Sequence, residues 1–354
     1  MKLGLAYTLK SDHDEPDQPD DWQEEFDSPA TIRAIQSALE QLGHSVTPLG
    51  DGRQLLQRLL AAPPEMVFNI AEGRGVSRNR ESRVPAICEI LNVPCTGSDP
   101  LALAASLDKD VARRLVASTG VAVPRGQVIE RAGSVSDGVY SVANASGSSK
   151  HIFPAIVKPA WEGSSKGIRG KCVVKNDREL QEAIARLGED YRQPLLVEEF
   201  IAGDELTVGV IGNSPPEVLG IMRVVPQKPT KEFVYSLEVK RDWQNQVRYQ
   251  TPPAGYDQLT LTIIENAALT AFQALGCRDI ARIDFRLRDG VPHFIEANPL
   301  PGLNPETGDI VLIAKAMGVS HTELIGRILS AAMKRNELVS RDYIADLAPL
   351  CSRG

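Results

Sequence analysis

The sequence predicts an α/β protein whose N-terminal part is a parallel sheet covered by helices. Three observations carry that expectation. Short apolar runs alternate with helical stripes through the N-terminal part. The chain has 354 residues, enough for about two to three domains and a substantial core. Further on, Ala281 to Gly302, ARIDFRLRDGVPHFIEANPLPG, folds back on itself as a β-hairpin.

Lys2–Tyr7 is the first buried strand. Residues 10–27 are a long polar loop rich in Asp and Glu, and loops of that length are functional or disordered. Ser28-Pro29 supplies an N-cap followed by proline at the first helical position. Ile32, Ile35, Leu39 and Leu42 form a helical stripe that Gly43 closes. Strand Ser45–Leu49, helix Gln54–Leu60 and strand Met66–Ile70 complete a βαβ alternation, which implies a parallel sheet. Asn69–Arg83, NIAEGRGVSRNRESR, lies beyond a strand's carboxyl end, where α/β sheets commonly bind ligands. Glu72 and the arginines fit that role, and a polar surface loop fits the same residues. A short helix (Ala86–Leu91), a strand (Val93–Thr96) and the turn cluster Gly97–Pro100 end the first domain.

Leu107–Ser118 is helical, with Lys109 in its first turn. A lysine there is ordinarily solvated, and the helix dipole gives it no role. Residues 132–150 are rich in Ser, Gly and Asn, the composition of an exposed insertion without chemistry. Strand Phe153–Pro159 carries Lys158 and runs into Gly163-Ser164-Ser165-Lys166-Gly167, ahead of strand Lys171–Val174. Such a loop can turn backbone N–H groups and hydroxyls toward an anion; a flexible hairpin tip is the alternative. Neither a P-loop nor a GxGxxG fingerprint is present. Helix Arg178–Leu187 and strands Leu195–Ile201, Glu205–Val210, Glu217–Val224 and Tyr249–Pro253 follow. A helix at 258–275 precedes the hairpin, and helices near 309–317 and 320–334 follow it. The tail from Asn336 carries weak signals.

In the hairpin, Ile283, Phe285 and Leu287 alternate with Arg282, Asp284 and Arg286, and Asp289-Gly290 supplies a turn. A three-residue loop would set Asp284 opposite Glu296, with Asn298 two further on the same face. Two carboxylates and an amide oxygen suit a hard divalent cation that completes its shell with water and phosphate oxygens. A solvated hairpin face accounts for the same residues equally well.

The net charge is −7, which disfavours a nucleic-acid partner. Five cysteines without CxxC spacing fit reduced thiols in a cytoplasm. MKLGLAY followed by dense acid is not a signal peptide, no run reaches membrane-span length, and nothing repeats.

Taken together, CTGSDPLALAASLDK (95–109), VKPAWEGSSKGI (157–168), LVEEFIAGDELTVG (196–209), ARIDF (281–285) and EANPLPGLNPETG (296–308) resemble the D-alanine–D-alanine ligase branch of the ATP-grasp ligases. The likeness runs from about residue 66 to about 320 in order and spacing. It implies a Rossmann-like pre-ATP-grasp domain over 1–98, then a two-lobed α+β ATP-grasp fold with a central lobe over 99–194 and a C-terminal lobe over 195–354. It further implies ATP and two magnesium ions, with manganese as a substitute. Lys109, Lys158 and Lys240 would contact phosphates, and Ser164 and Ser165 would lie in the closing loop. Glu198, Phe200 and Ile201 would bracket adenine, with Glu205 on the ribose. Asp284, Glu296 and Asn298 would hold metal. Arg282 and the Gly302 N–H would stabilise an oxyanion. A homodimer is the family-level expectation.

The amino-acid half departs from the family. The Ser-Ala-Glu-His-like segment after the first strand is replaced by the acidic loop, with Glu24 the nearest match for gripping a substrate ammonium. The family's His-Gly and Gly-Glu-Asp-Gly loop is replaced by Asn69–Arg83, the lid tyrosine by Arg241, and the serine for the second substrate's carboxylate by Thr307. Arg74, Arg78, Arg80 and Arg83 would suit a substrate carrying an additional acidic group, and Glu72 is a further candidate for contacting substrate. The leading expectation is an ATP-dependent ligase joining a small acid or amino acid to an amino acid. Synthesis of D-alanyl-D-alanine is the runner-up. A small-molecule kinase and a non-catalytic nucleotide-binding regulator represent other classes.

Overall fold

A computed structural model describes residues 1–11, 18–132, 139–141, 152–170, 172–230, 232–253 and 255–338. The acidic segment at 12–17, most of the insertion expected at 132–150, Lys171 and the tail beyond 338 lie outside the described residues.

The N-terminal unit comprises β1 (Lys2–Tyr7), α1 (Pro29–Gln41), β2 (Ser45–Gly50), α2 (Gly52–Ala61), β3 (Met66–Ile70) and α3 (Arg83–Ile90). Its strands form a parallel sheet in the order β2-β1-β3. Ser28 caps α1 by accepting from the Thr31 N–H at 3.1 Å, and Pro29 opens the helix. The strand expected at Val93–Thr96 is reduced to a single bridge between Val67 and Cys95.

Next come α4 (Pro100–Leu107), α5 (Lys109–Ala117), β4 (Gly126–Ala132), β5 (Val139–Ser141), β6 (Ala155–Pro159), β7 (Val173–Val174), α6 (Asp177–Tyr191) and β8 (Leu195–Glu199). The helix expected over Leu107–Ser118 is α5, which begins two residues later than expected; Leu107 instead ends α4, a helix that was not expected. Asp108 leaves helical geometry (φ −80°, ψ 99°) and caps α5 by accepting from the Val111 N–H. That break places Lys109 at the first position of α5. The strands form a sheet in the order β5-β4-β8-β6-β7. The expected lobe boundary after residue 194 therefore cuts this sheet, because β8 hydrogen-bonds β4 on one side and β6 on the other.

The remainder is β9 (Asp204–Ile211), β10 (Glu217–Pro226), α7 (Leu237–Arg241), α8 (Trp243–Gln246), β11 (Val247–Gln250), α9 (Gln258–Ala274), β12 (Ile280–Arg288), β13 (Val291–Asn298), α10 (Asp309–Ala316) and α11 (His321–Arg335). Its sheet is antiparallel, in the order β11-β10-β9-β12-β13. One apolar core joins this lobe to the N-terminal unit: Leu3, Leu5 and Ile35 pack with Ile310, Ile313, Leu324 and Ile328. The second sheet keeps a separate core against α6, built on Val157, Leu180, Leu187 and Val197.

Gly203, between β8 and β9, has φ +149°, and a β-carbon there would drive into the Leu287 carbonyl oxygen. Gly203→Ala is expected to destabilise the fold by at least about 1–3 kcal/mol, read from the urea unfolding midpoint. A midpoint equal to that of the parent would show that the two backbones do not need this approach.

Candidate active site

The hairpin reaches the expected pairing by another route. Arg288 pairs with Val291 and Phe285 with Phe294, so the loop has two residues, Asp289 and Gly290. Asp284 nevertheless faces Glu296, because the register shifts between Asp284 and Phe285. The extra residue is Ile295, a bulge in β13. Without it, Glu296 and Asn298 would fall out of register with Asp284 and Arg282. As built, Arg282 pairs with Asn298 and Asp284 with Glu296.

These four side chains form one polar cluster. The Asn298 amide nitrogen donates to Asp284 Oδ2 at 3.3 Å, and Arg282 Nε and Nη2 donate to Asp284 at 2.9–3.1 Å. Arg282 Nη1 also donates to Asp309 at 3.1 Å, at the start of α10. Lys109 Nζ is 3.1 Å from Glu296 and donates to the Glu162 carbonyl. Burial pushes the Glu296 carboxyl up, but Lys109, Arg282, Lys158 and Lys240 outweigh it and hold the group far below the usual range. For Asp284 burial wins over Arg282, with Glu296 adding to the rise, and the group is raised to about 6. Two carboxylates and an amide fit a hard cation. Among the described residues no three His, Cys, Asp or Glu side chains converge on a metal position. Water and phosphate oxygens would therefore complete the shell, as magnesium favours.

Beside this cluster lies a small cavity of about 70 Å³ lined by Lys158, Ser165, Glu198, Phe200, Ile201, Glu205 and Lys240. Lys158 Nζ meets Glu198 at 2.5 Å, both nearly inaccessible to solvent. Arg286 holds Glu205 at 2.7 Å and lies over the Phe200 ring. Lys240, on α7, lies over the Tyr235 ring, 5.0 Å from its centroid. The structure thus brings together every residue that the resemblance placed on nucleotide and metal: Lys109, Ser164, Glu296, Asn298 and Gly302 line the adjoining larger cleft, which Lys240 also faces.

The Gly/Ser loop joins β6 to β7. Ser164 and Ser165 both take left-handed backbone conformations (φ +49° and +61°), a geometry that costs non-glycine residues about 1–3 kcal/mol each. Their amide N–H groups make no hydrogen bond among the described residues, while Ser165 Oγ donates to the Tyr235 carbonyl at 3.1 Å. The loop's ends are pinned by the acidic N-terminal segment. Glu25 accepts from the Gly163 N–H at 2.5 Å, and Asp21 accepts from the Gly167 N–H and the Tyr191 hydroxyl. The described part of the expected acidic loop, residues 18–27, is therefore a clamp on the phosphate-loop candidate.

The substrate expectations fare differently. Glu24, Glu72 and Thr307 line the larger cleft, of about 300 Å³. Glu24 is ion-paired with Arg241 at 2.9 Å, so it is not a free acceptor for an ammonium, and Arg241 itself stays outside the cleft lining. The arginine-rich loop does not build an anion site. Arg83 is exposed and donates to the Arg74 carbonyl, and Arg74 stacks on Phe26. Arg78 pairs with Asp108. Arg80 is buried: its Nη2 donates to both Glu25 oxygens at 3.0 and 2.9 Å and reaches Glu162 at 3.4 Å, and its Nη1 donates to the Trp161 carbonyl at 2.6 Å. Burial and the charges of Arg80 and Lys166 oppose each other at Glu25, and the cations win, holding it at about 2. An acidic substrate group thus has no arginine from this loop to meet. Sequence reasoning missed Glu25, Glu162, Lys166, Tyr235 and Asp309. Glu162 and Lys166, one helical turn apart across the Gly/Ser loop, were the visible signal.

Two antiparallel lobes that enclose lysines, a Gly/Ser loop and a carboxylate hairpin, mounted on a parallel-sheet unit, define an ATP-grasp protein. Residues 115–330 match the family model described as the D-ala D-ala ligase C-terminus. The D-alanine–D-alanine ligase of Syntrophotalea carbinolica is 33% identical, over 86% of this chain and 91% of that protein. That of Aquifex aeolicus is 33% identical, over 85% and 94%. The chain belongs to the D-alanine–D-alanine ligase family. An uncharacterized protein of Sinorhizobium fredii is 32% identical over 85% of this chain and 87% of its own length. The fold matches the D-alanine–D-alanine ligase of Bacillus anthracis complexed with ATP, with a TM-score of 0.70 at 18% identity, covering 95% of this chain and 99% of that one. Among the described residues no helix is long and apolar enough to cross a membrane.

Proposed function

We propose that the protein is an ATP- and magnesium-dependent ligase that joins a small carboxylic acid, or an amino acid, to an amino acid. One observation carries this reading: four cations gather around Glu296 where the cleft meets the smaller cavity, with Lys109 at 3.1 Å and Arg282 at 3.7 Å from its carboxylate, and Lys158 and Lys240 lining the same cavity. Such a concentration of cations suits a triphosphate and its transferring group.

Lys109, Lys158 and Lys240 would neutralise phosphate oxygens, and the free amides of Ser164 and Ser165 would cap them. Phe200 and Ile201 would sandwich the adenine, Glu198 would read its edge, and Glu205 would take the ribose. Asp284, Glu296 and Asn298 would hold magnesium, which when bound offsets charge between phosphate oxygens. The acid's carboxylate oxygen attacks the γ-phosphorus and ADP departs. The amine then attacks the acyl carbon of the mixed anhydride, phosphate leaves, and the amine loses its proton. Arg282 and the Gly302 N–H would cradle the oxyanion of that second step. Closure of the loops over the cleft excludes the water that would hydrolyse the acyl phosphate.

ADP release measured across acid and amine pairs tests the reading. Turnover is expected only when both partners are present, with a product equal in mass to their sum less water. A phosphorylated acceptor formed without any amine would assign a kinase instead. D-alanine alone matching the best pair would assign D-alanyl-D-alanine synthesis.

A further inference from the structure

One wall of the larger cleft is acidic, and the chemistry above leaves it unused. Asp27 comes from the loop after β1, and Glu72 and Glu81 from the segment between β3 and α3; all three line the cleft. Glu81 is only 7% exposed, yet its carboxylate makes no hydrogen bond or ion pair among the described residues. Glu72 is half-buried and equally without such a partner. Three of the cations nearby are already engaged. Arg80 and Lys166 are shared between Glu25 and Glu162, and Lys109 is held by Glu296. Lys10 also lines this cleft, where it acts on Asp27. Burial raises the Glu81 carboxyl to about 8 against the pull of Arg80; burial and then Glu81 raise Glu72 well above the usual range. An enclosed carboxylate is costly until a cation meets it.

We propose that Glu72 and Glu81 form a subsite for a second positive group on a substrate, so that the protein takes a diamino acid or another small substrate with an additional basic group. The word substrate rests on the ligase reading; the subsite itself is a claim about binding. It reverses the additional acidic group that the arginine-rich loop suggested.

Calorimetry on the full chain with ADP and magnesium, comparing 2,4-diaminobutyrate with 2-aminobutyrate in both enantiomers, reads the subsite directly. The diamino compound is expected to bind at least about tenfold more tightly. In Glu81→Gln the ratio should fall to near unity, and Glu72→Gln serves the same purpose if the first variant does not fold. Equal affinities in the parent protein, binding by neither compound, or a preference that survives these substitutions overturns the subsite. ADP release with the same compounds and an amine partner is read separately. A calorimetric preference without turnover by any pair sinks the ligase reading and leaves the subsite; turnover without preference does the reverse.

Discussion

Asp284→Asn is expected to cut ADP release by about 10²–10³-fold and to raise the magnesium concentration needed for half-maximal rate. The fold should survive. Asp284 is a buried carboxyl raised to about 6, so a neutral amide of the same shape removes an electrostatic conflict. Arg282 keeps Asp309 at 3.1 Å and Glu296 at 3.7 Å. Activity and magnesium dependence equal to those of the parent would remove Asp284 from the metal set, and with it the hairpin's claim to be the catalytic floor.

Arg80→Leu has the largest expected effect on stability. The guanidinium is enclosed between Glu25 and Glu162, and removing it leaves Lys166 as the nearest cation for two buried carboxylates. Breaking such a network from one side costs about 3–5 kcal/mol, visible as a lower urea midpoint. Adding Glu25→Gln should recover part of the loss, because one uncompensated charge disappears. If stability held and the KM for the acid substrate rose instead, Arg80 would be a substrate contact, as the loop's composition suggested.

These two positions also separate what the sequence made legible from what it did not. Asp284 and Glu296 could be paired from alternation alone, but through a loop one residue too long. The bulge at Ile295 leaves no mark in FIEAN, since an apolar residue followed by an acid fits either register. The start of α5 at Asp108 was legible in principle: Asp-Lys-Asp is a cap followed by a first turn, and Asp99-Pro100 is the same signal for α4. Arg80 was not legible. Its partners come from a loop far upstream and from the start of the Gly/Ser loop, and four arginines in one polar stretch give no hint which one turns inward. The cavity proposed for adenine was expected from family likeness alone, because Phe200 and Ile201 look like any strand end until β8, β9 and β12 are brought together.

The central sheet lobe has a consequence for how the protein opens. Its oily residues stay among themselves, and it is fastened to the N-terminal unit by Asp21, Glu25, Lys166, Tyr191 and the amides of Gly163 and Gly167. Swinging this lobe away would wet ions and hydrogen-bonding groups rather than grease. The gaping form would then stay dispersed in water, without a sticky face for other chains to seize between turnovers.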